Sequence, residues 1–323
     1  MDDKDKYRTL CRERRDELPI YMQDWWLDTV CGEKHWEAIL LEGKKGQAIA
    51  ALPLYLPIRE VAIMPPFTQT LGPWIEPFPA DMKYTTRLGR QQTILTELIQ
   101  RLPSTSYLAH NCHHELTDWL PFYWAGFRQT TRYTYIIPAD TTTEELYANM
   151  SANIRRNITK AEKRFQAQAE SHISIDEFMR LQTITFDRQG EHLSTYQQQT
   201  LPRLIEACRQ HGQGDLWACR DESGTILSAA FITWTNKQTY YIAGGSNTHG
   251  RESGAQSLLL WNLIQQSVQQ GRAFDLEGSM QPGVERFFRE FGAIQTPYFQ
   301  ISRGRLSLPL KIRMKLVRDY LKA

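Results

Sequence analysis

The sequence has no long apolar run. None of its apolar stretches approaches the ~18 residues that suggest a membrane-spanning helix, although 41% of its residues are hydrophobic. Residues 1–6, MDDKDK, are charged and unlike the apolar core of a signal peptide. We therefore expect a cytoplasmic protein with no transmembrane segment.

The sequence also lacks a surplus of either charge. Its 323 residues include 38 Lys and Arg against 36 Asp and Glu, which gives a formal net charge of +2. This balance provides no general attraction to nucleic acid, so we do not expect a DNA partner. The length is sufficient for two ordinary domains with their own cores.

Cysteine is scarce and poorly spaced for disulfide or metal chemistry. The five cysteines are odd in number and include no C-x-x-C pair, which argues against a disulfide framework and a zinc ribbon. Residues 110–115, HNCHHE, are potential ligands, but adjacent side chains in a loop diverge. G-x-S-x-G, Walker and H-E-x-x-H motifs are absent. We predict no metal site.

The sequence does contain an internal repeat. The first half is predicted to hold two strands, a helix and two further strands, at residues 36–41, 47–56, 88–101, 107–109 and 132–137. The second half repeats this plan in three strands and a helix, at residues 215–219, 226–234, 239–243 and 255–270. Similar pentapeptides, GFRQT and GAIQT, precede the last strand of each half. We therefore predict an α/β (α+β, mixed-sheet) protein with duplicated domains at residues 1–140 and 141–323.

A helix is predicted between the halves, from about residue 144 to residue 165. Thr142 stands three residues before Glu145 in a capping-box pattern. Its apolar stripe consists of Leu146, Met150, Ile154, Ile158, Ala161 and Phe165. Its basic face consists of Arg155, Arg156, Lys160, Lys163 and Arg164. Such a face is commonly just solvated, and binding of a phosphate-rich ligand is the alternative.

The segment from Tyr240 to Gln256 is the most informative one. A predicted strand opens through a glycine pair into a polar loop, after which a long apolar helix begins near Ala255. A strand, a loop of small residues and a helix N-terminus together present free N–H groups and a positive dipole end, which suits an anion. An ordinary loop with Ser253 as the N-cap explains the same composition equally well.

The pattern R-x-x-G-A-Q at Arg251 to Gln256 resembles the coenzyme A pyrophosphate loop of the GNAT acyltransferase superfamily, Q/R-x-x-G-x-G/A, although Gln256 replaces a small residue. Residues 274–292 and 297–299 are similar to the end of the GNAT-like branch that holds the Fem-type (FemAB-related) aminoacyl transferases. Residues 150–165 resemble the helix that leads into the second Fem-type domain. The resemblance implies two tandem GNAT-like acyl-CoA N-acyltransferase domains, the first matched mainly by duplication.

The resemblance also implies where an acyl-CoA (acetyl-CoA) donor would bind. The residues that would hold its phosphates are Arg251, Ser253, Gly254, Ala255 and Gln256. In GNAT proteins the preceding strand splays from its neighbour and leaves a backbone N–H for the acyl carbonyl, which corresponds here to Ile242, Ala243 and Gly244. A base would be Asp275 or Glu277, at alternate positions of the next strand and therefore on one face. Hydrogen bonding to backbone or Arg286 is the alternative for these carboxylates.

Many GNAT enzymes have a Tyr in the helix before the final strand, which protonates the departing thiolate. Residues 285–291 contain none, and Tyr298 just beyond them is the candidate. Otherwise the leaving group needs less help or the donor is not a thioester. A tRNA donor would place phosphates near Arg155, Arg156 and Lys160.

The C-terminal segment is basic as well. Its cations are Lys311, Arg313, Lys315, Arg318 and Lys322, which would extend a track for a tRNA donor. Alternatively the segment is an amphipathic helix with solvated cations, whose docked residues are Ile312, Leu316, Val317 and Tyr320.

We expect an acyl-CoA-dependent N-acyltransferase that acts on an amine acceptor, either a small molecule or a cell-wall precursor. In that case the first domain, which has no recognisable phosphate loop, shapes the acceptor site. One alternative is a Fem-type transfer from aminoacyl-tRNA to a cell-wall (peptidoglycan) precursor. Another is a GNAT fold retained as a non-catalytic binding module.

Overall fold

The computed structural model describes residues 2–188, 190 and 192–320, which divide into two compact units. Unit 1 comprises described residues of Met1–Arg132 and Pro297–Ala323, and unit 2 comprises those of Tyr133–Thr296. This division differs in two places from the expected domains at residues 1–140 and 141–323. Residues 133–140 belong to unit 2, and the segment that begins at Pro297 belongs to unit 1.

The elements are numbered in chain order. The first are α1 (Asp3–Glu13), α2 (Asp24–Cys31), β1 (Trp36–Glu42), β2 (Ala48–Ile58), β3 (Val61–Ile63), β4 (Trp74–Ile75), α3 (Tyr84–Gln100), β5 (Tyr107–Asn111), α4 (Leu120–Trp124) and β6 (Arg128–Ile137). Next come α5 (Thr143–Asn149), α6 (Ala152–Phe165), β7 (Gln168–Ser171), α7 (Ile175–Arg188), α8 (Thr195–Gln210), β8 (Gly214–Arg220), β9 (Ile226–Trp234) and β10 (Gln238–Ser246). The last are α9 (Thr248–Ser253), α10 (Ala255–Gln269), β11 (Ala273–Asp275), α11 (Pro282–Arg289), β12 (Ile294–Gly304) and α12 (Leu308–Tyr320).

Both units contain a mixed sheet built on the same plan. In unit 1, β1, β2 and β3 are antiparallel neighbours, β5 lies parallel to β3, and β12 pairs antiparallel with β5. In unit 2, β8, β9 and β10 are antiparallel neighbours, β11 lies parallel to β10, and β6 pairs antiparallel with β11. The predicted mixed α/β architecture is confirmed, because each parallel pair is bridged by a long helix, α3 or α10.

The pentapeptides noted in the sequence occupy equivalent places. Gly126 follows α4 and Gly292 follows α11, and their φ angles are +80° and +81°. A left-handed residue at this place ends a helix and turns the chain into the next strand, and glycine adopts it without strain. The strands that follow, β6 and β12, are the two elements within which the chain passes from one unit to the other.

The long helix predicted between the halves is two helices. Thr142 and Glu145 form the predicted capping box on α5, but the chain is extended at Met150 and Ser151. Ser151 caps α6 by accepting from the Ile154 N–H, and its own N–H donates to Glu290 O at 2.9 Å. The prediction of one helix was wrong because the Ser151 N–H bonds to the distant Glu290 carbonyl and not to a carbonyl of the preceding helical turn.

The apolar stripe of this region packs as predicted. Its residues from Leu146 to Ala161 are buried in the core of unit 2, against the apolar face of α10. The core of unit 1 is separate and lies between α3 and its own sheet. All five cysteines are free and buried.

The C-terminal helix α12 contacts β2 of unit 1. Among its described side chains, at residues 308–314, Leu310 and Met314 are half-buried, whereas Ile312 is 54% exposed. The prediction that Ile312 is docked was therefore wrong. The side chains of Leu316, Val317 and Tyr320, and all of Lys322, lie outside the described part of the chain. Among the described helices, none combines the length and apolarity that a bilayer crossing requires.

Candidate functional site

Strands β10 and β11 begin as neighbours and then part. They pair from Gln238 with Ala273 to Tyr240 with Asp275, where β11 ends. β10 continues to Ser246 along β9, and the pairing shifts register between Tyr241 and Ala243, so Ile242 is the extra residue of a β-bulge. In the described chain, residues 241–245 have no strand partner on the side where β11 ended. This edge leaves backbone donors and acceptors open to a ligand.

The loop after β10 contains the short helix α9. Asn247 caps this helix by accepting from the Gly250 N–H at 2.7 Å. Gly254 then adopts a φ of +83°, and its N–H donates to Gly250 O. A Cβ at Gly254 would lie 2.6 Å from Asn157 O of α6, so only glycine fits here.

Gly254 is also the N-cap of α10. The ordinary-loop alternative had assigned this position to Ser253. The Ser253 hydroxyl accepts from the Ala255 N–H at 3.3 Å, and the Ser257 N–H donates to Gly254 O at 3.0 Å. Among described residues, the Gln256 N–H has no partner in this first turn. One backbone donor and the helix dipole therefore remain for an anion.

Three cations surround this loop. Arg188 donates to Ser246 O at 2.8 Å from the end of α7, Lys160 of α6 donates to Glu252 O, and Arg251 is exposed on α9. Burial, together with the nearby Arg251, lowers the pKa of Arg188. Within the described chain none of the three forms an ion pair. Sequence patterns alone did not single out Arg188, because α7 brings it to the loop from 63 positions before Arg251.

Tyr241 and Gln256 form a half-buried pair beside the open edge. The Gln256 Nε2 donates to the Tyr241 hydroxyl at 3.1 Å, and burial raises the pKa of Tyr241. A Cβ at Gly244 would lie 1.7 Å from this hydroxyl, which explains the glycine there. Gln256 thus folds toward β10, and its Oε1 is buried without a partner among described residues.

Asp275 is 2% exposed and fully engaged. Its carboxylate accepts from the Thr134 hydroxyl, from the Glu277 N–H at 2.8 Å and from Gln238 Nε2 at 3.1 Å. These bonds fix the end of β11 and give Asp275 a positioning role, which corresponds to the alternative considered for it.

Glu277 differs from Asp275 in its surroundings. It lies beyond the end of β11 with a φ of +53°, so the expected strand alternation with Asp275 does not hold. Its Oε1 is buried without a partner among described residues, and burial raises its pKa well above that of an ordinary carboxyl. Of the two carboxylates, Glu277 is thus the one that keeps an oxygen without a partner among described residues.

Tyr298 lies in unit 1, whereas Asp275 and Glu277 lie in unit 2. Its hydroxyl accepts from Arg132 Nε at 3.3 Å. Within unit 2, Tyr135 of β6 was not predicted from the sequence. Its hydroxyl donates to Glu285 at 2.7 Å and accepts from Gln295 at 2.7 Å, and burial raises its pKa.

The three cations expected to bind substrate have different surroundings. Arg155 donates to Met150 O at 2.6 Å, Tyr147 O at 3.1 Å and Ala148 O at 3.3 Å, so it holds the end of α5. Arg156 is exposed, and Lys160 belongs to the loop described above. Only the last two are placed to meet a ligand.

The histidine cluster is structural in character. The buried His110 ring contacts Leu71 O at 2.6 Å, and burial lowers its pKa to about 4. The pKa of His114 is also lowered to about 4 by burial. Among the described residues, no group of three His, Cys, Asp or Glu side chains could hold a metal ion.

Comparison with known proteins identifies the domain. Residues 148–289 match the family model described as an acetyltransferase (GNAT) domain, which contains β10, α9, α10 and β11. No curated protein matches the sequence significantly.

Solved structures share the whole fold. The chain is similar to FemX, with 12% identity and a TM-score of 0.63 over 98% of this chain and 99% of that one. It is also similar to the C-terminal domain of a putative lysylphosphatidylglycerol synthetase from Agrobacterium fabrum, with 12% identity and a TM-score of 0.58 over 98% and 97%. A tandem GNAT protein from the clavulanic acid biosynthesis pathway gives 10% identity and a TM-score of 0.51 over 93% and 94%. Residues 148–289 therefore match an acetyltransferase (GNAT) domain, and the chain has a Fem-like, tandem GNAT fold.

Proposed function

We propose that unit 2 transfers an acyl group from acyl-CoA to an amine, either a small molecule or the amino group of a cell-wall precursor. The observation that carries this proposal is the open edge of β10, which leads directly to the left-handed Gly254 and the start of α10. An extended donor lying along this edge would reach the reacting centre with one end and the loop with the other. A cytoplasmic location would give access to such a donor.

The residues present fit a phosphate-bearing donor. Hydrogen-bond donors and positive charge lie together at the end of β10. They come from the Gln256 N–H, the guanidinium groups of Arg188 and Arg251, and the Lys160 ammonium. The Gln256 side chain does not obstruct the loop, because it bonds to Tyr241. Bound acyl-CoA would supply an acyl group activated as a thioester.

The chain's own groups can assist the attack of an amine. A backbone N–H near Ile242, Ala243 or Gly244 would donate to the acyl oxygen as charge develops on it. The Glu277 carboxylate would accept the proton that the amine nitrogen loses when it bonds to the acyl carbon, while the C–S bond of the thioester breaks and coenzyme A leaves as its thiolate. Asp275 would hold this carboxylate in place through the Glu277 N–H.

Calorimetric titration with coenzyme A tests the donor site. We expect saturable binding that Arg251→Glu abolishes and that Arg188→Ala weakens at least about tenfold, a loss of ~1.4 kcal/mol. Arg180→Ala is the matched control, because Arg180 is an exposed arginine of the same helix α7. Absence of binding by the unmodified protein would reject acyl-CoA as the donor, and full affinity in Arg251→Glu would reject this site.

One observation favours an aminoacyl-tRNA donor as the second candidate. The exposed cations Arg156, Lys163 and Arg164 lie on α6, the helix that contacts Gly254 and α9. Binding of charged tRNA should then weaken steeply with salt, and Arg156→Glu should reduce the slope by about one counterion. Coenzyme A would not compete in that case.

A further inference from the structure

Over residues 308–314, where its side chains are described, helix α12 has one covered and one exposed apolar side. Leu310 and Met314 are half-buried on the helix that contacts β2. Leu308 and Ile312 are spaced four residues apart on the other side and are 69% and 54% exposed. Two large aliphatic side chains thus form an exposed apolar pair on a helix that is otherwise anchored.

Most of the charged residues near this pair in the sequence are cations. Residues 303–318 contain six cations and no Asp or Glu, namely Arg303, Arg305, Lys311, Arg313, Lys315 and Arg318. Two of these cations are engaged, because Arg303 stacks over Phe127 and Arg313 pairs with Glu60 at 2.7 Å. Arg305 and Lys311 are exposed and have no ion pair within the described chain.

We propose that α12 docks the protein on the surface of a lipid bilayer that contains anionic phospholipid. Leu308 and Ile312 enter the boundary between headgroups and acyl chains, and Arg305 and Lys311 lie against the phosphates. Exposed apolar residues bordered by Lys and Arg on one helix are the pattern of an interfacial helix. Each cation near an anionic leaflet strengthens binding about fivefold.

Other partners fit these observations less well. A nucleic acid backbone would use the cations but would gain nothing from the aliphatic pair. A second copy of the chain would place one predominantly basic segment against another, and the like charges would repel. A bilayer uses both features at once, and a helix with two inserted side chains gives reversible attachment.

Sedimentation of the full chain with vesicles tests the proposal. The vesicles consist of phosphatidylcholine, with or without phosphatidylglycerol. We expect binding only when phosphatidylglycerol is present. Leu308→Ser with Ile312→Ser, which leaves the charge unchanged, should raise the lipid concentration for half-binding at least about tenfold, and Arg305→Glu with Lys311→Glu should do the same.

Two matched controls lie in unit 2. Ile294→Ser removes an aliphatic side chain of similar exposure, 57%, and Lys163→Glu with Arg164→Glu reverses two exposed cations of α6. Both should bind vesicles like the unmodified protein. Circular dichroism and thermal unfolding show whether each variant remains folded.

Three outcomes would overturn the proposal. One is the absence of binding to anionic vesicles. Another is undiminished binding after loss of Leu308 and Ile312. The third is binding of tRNA, but not of vesicles, that depends on Arg305 and Lys311 alone, which would assign the helix to a nucleic acid.

Discussion

Replacement of Gly254 by alanine tests how closely the donor loop approaches α6. An alanine at a φ of +83° has an unfavourable left-handed backbone, at a cost of about 1–2 kcal/mol. Its Cβ would also lie 2.6 Å from Asn157 O and 3.0 Å from the Asn157 carbonyl carbon. Both are backbone atoms that cannot rotate away, so the loop or α6 must shift, which costs about 1–3 kcal/mol more. We therefore expect the free energy of unfolding to fall by about 2–5 kcal/mol.

The matched control is at the other end of the same helix. Gly271 follows α10 with a φ of +69°, and a Cβ there would meet nothing within 4 Å. Gly271→Ala should therefore incur only the backbone cost of about 1–2 kcal/mol. Urea unfolding of both variants, followed by circular dichroism, isolates the cost of the close approach. If Gly254→Ala is no less stable than Gly271→Ala, the packing of Gly254 on α6 is not a constraint.

Two further predictions concern charged groups of unit 2. Burial raises the pKa of Glu277 above its ordinary value of 4.5. The contribution of the protonated Glu277 side chain to stability is therefore complete below pH 4.5, and it is lost as the pH rises through the raised pKa. Glu277→Gln, which stays neutral, should thus gain in melting temperature relative to the unmodified protein between about pH 5 and pH 8, and a constant difference would contradict this. Arg155→Ala should reduce the free energy of unfolding by about 1–3 kcal/mol through its lost carbonyl bonds, against about 0.5 kcal/mol or less for the exposed Arg156→Ala. Equal values in urea unfolding would refute the structural role of Arg155.

Local pattern was sufficient for much of the fold. The predicted strands and the helices over 88–101 and 255–270 are present, because their apolar periodicity reflects which face is buried. The duplicated order was visible for the same reason. The position of Gly254 before α10 was also predictable, because the motif requires glycine there and only glycine allows the close approach to Asn157 O of α6.

The remaining features depend on partners distant in the sequence. Ser151 breaks the linking helix through Glu290 O, and Thr134 helps to fix the Asp275 carboxylate from 141 positions away. Arg188 reaches the donor loop only because α7 ends beside Ser246. The sequence around each of these residues does not show which distant residues it contacts. The different roles of Asp275, Glu277 and Arg155 could therefore not be predicted from the sequence.

Because β12 lies near the end of the chain, the two units are not completed in the order in which their first strands are synthesised. Unit 1 completes its sheet only when residues 300–304 pair with β5, roughly 190 positions after β5 is made. During translation from the N-terminus, all of Tyr133–Thr296 is synthesised in between, so one side of β5 waits as an unpaired strand edge. Unit 2, in contrast, is one uninterrupted segment. A nascent chain can therefore finish unit 2 while unit 1 is still incomplete, and closure of the sheet of unit 1 is a late event that joins strands roughly 190 positions apart.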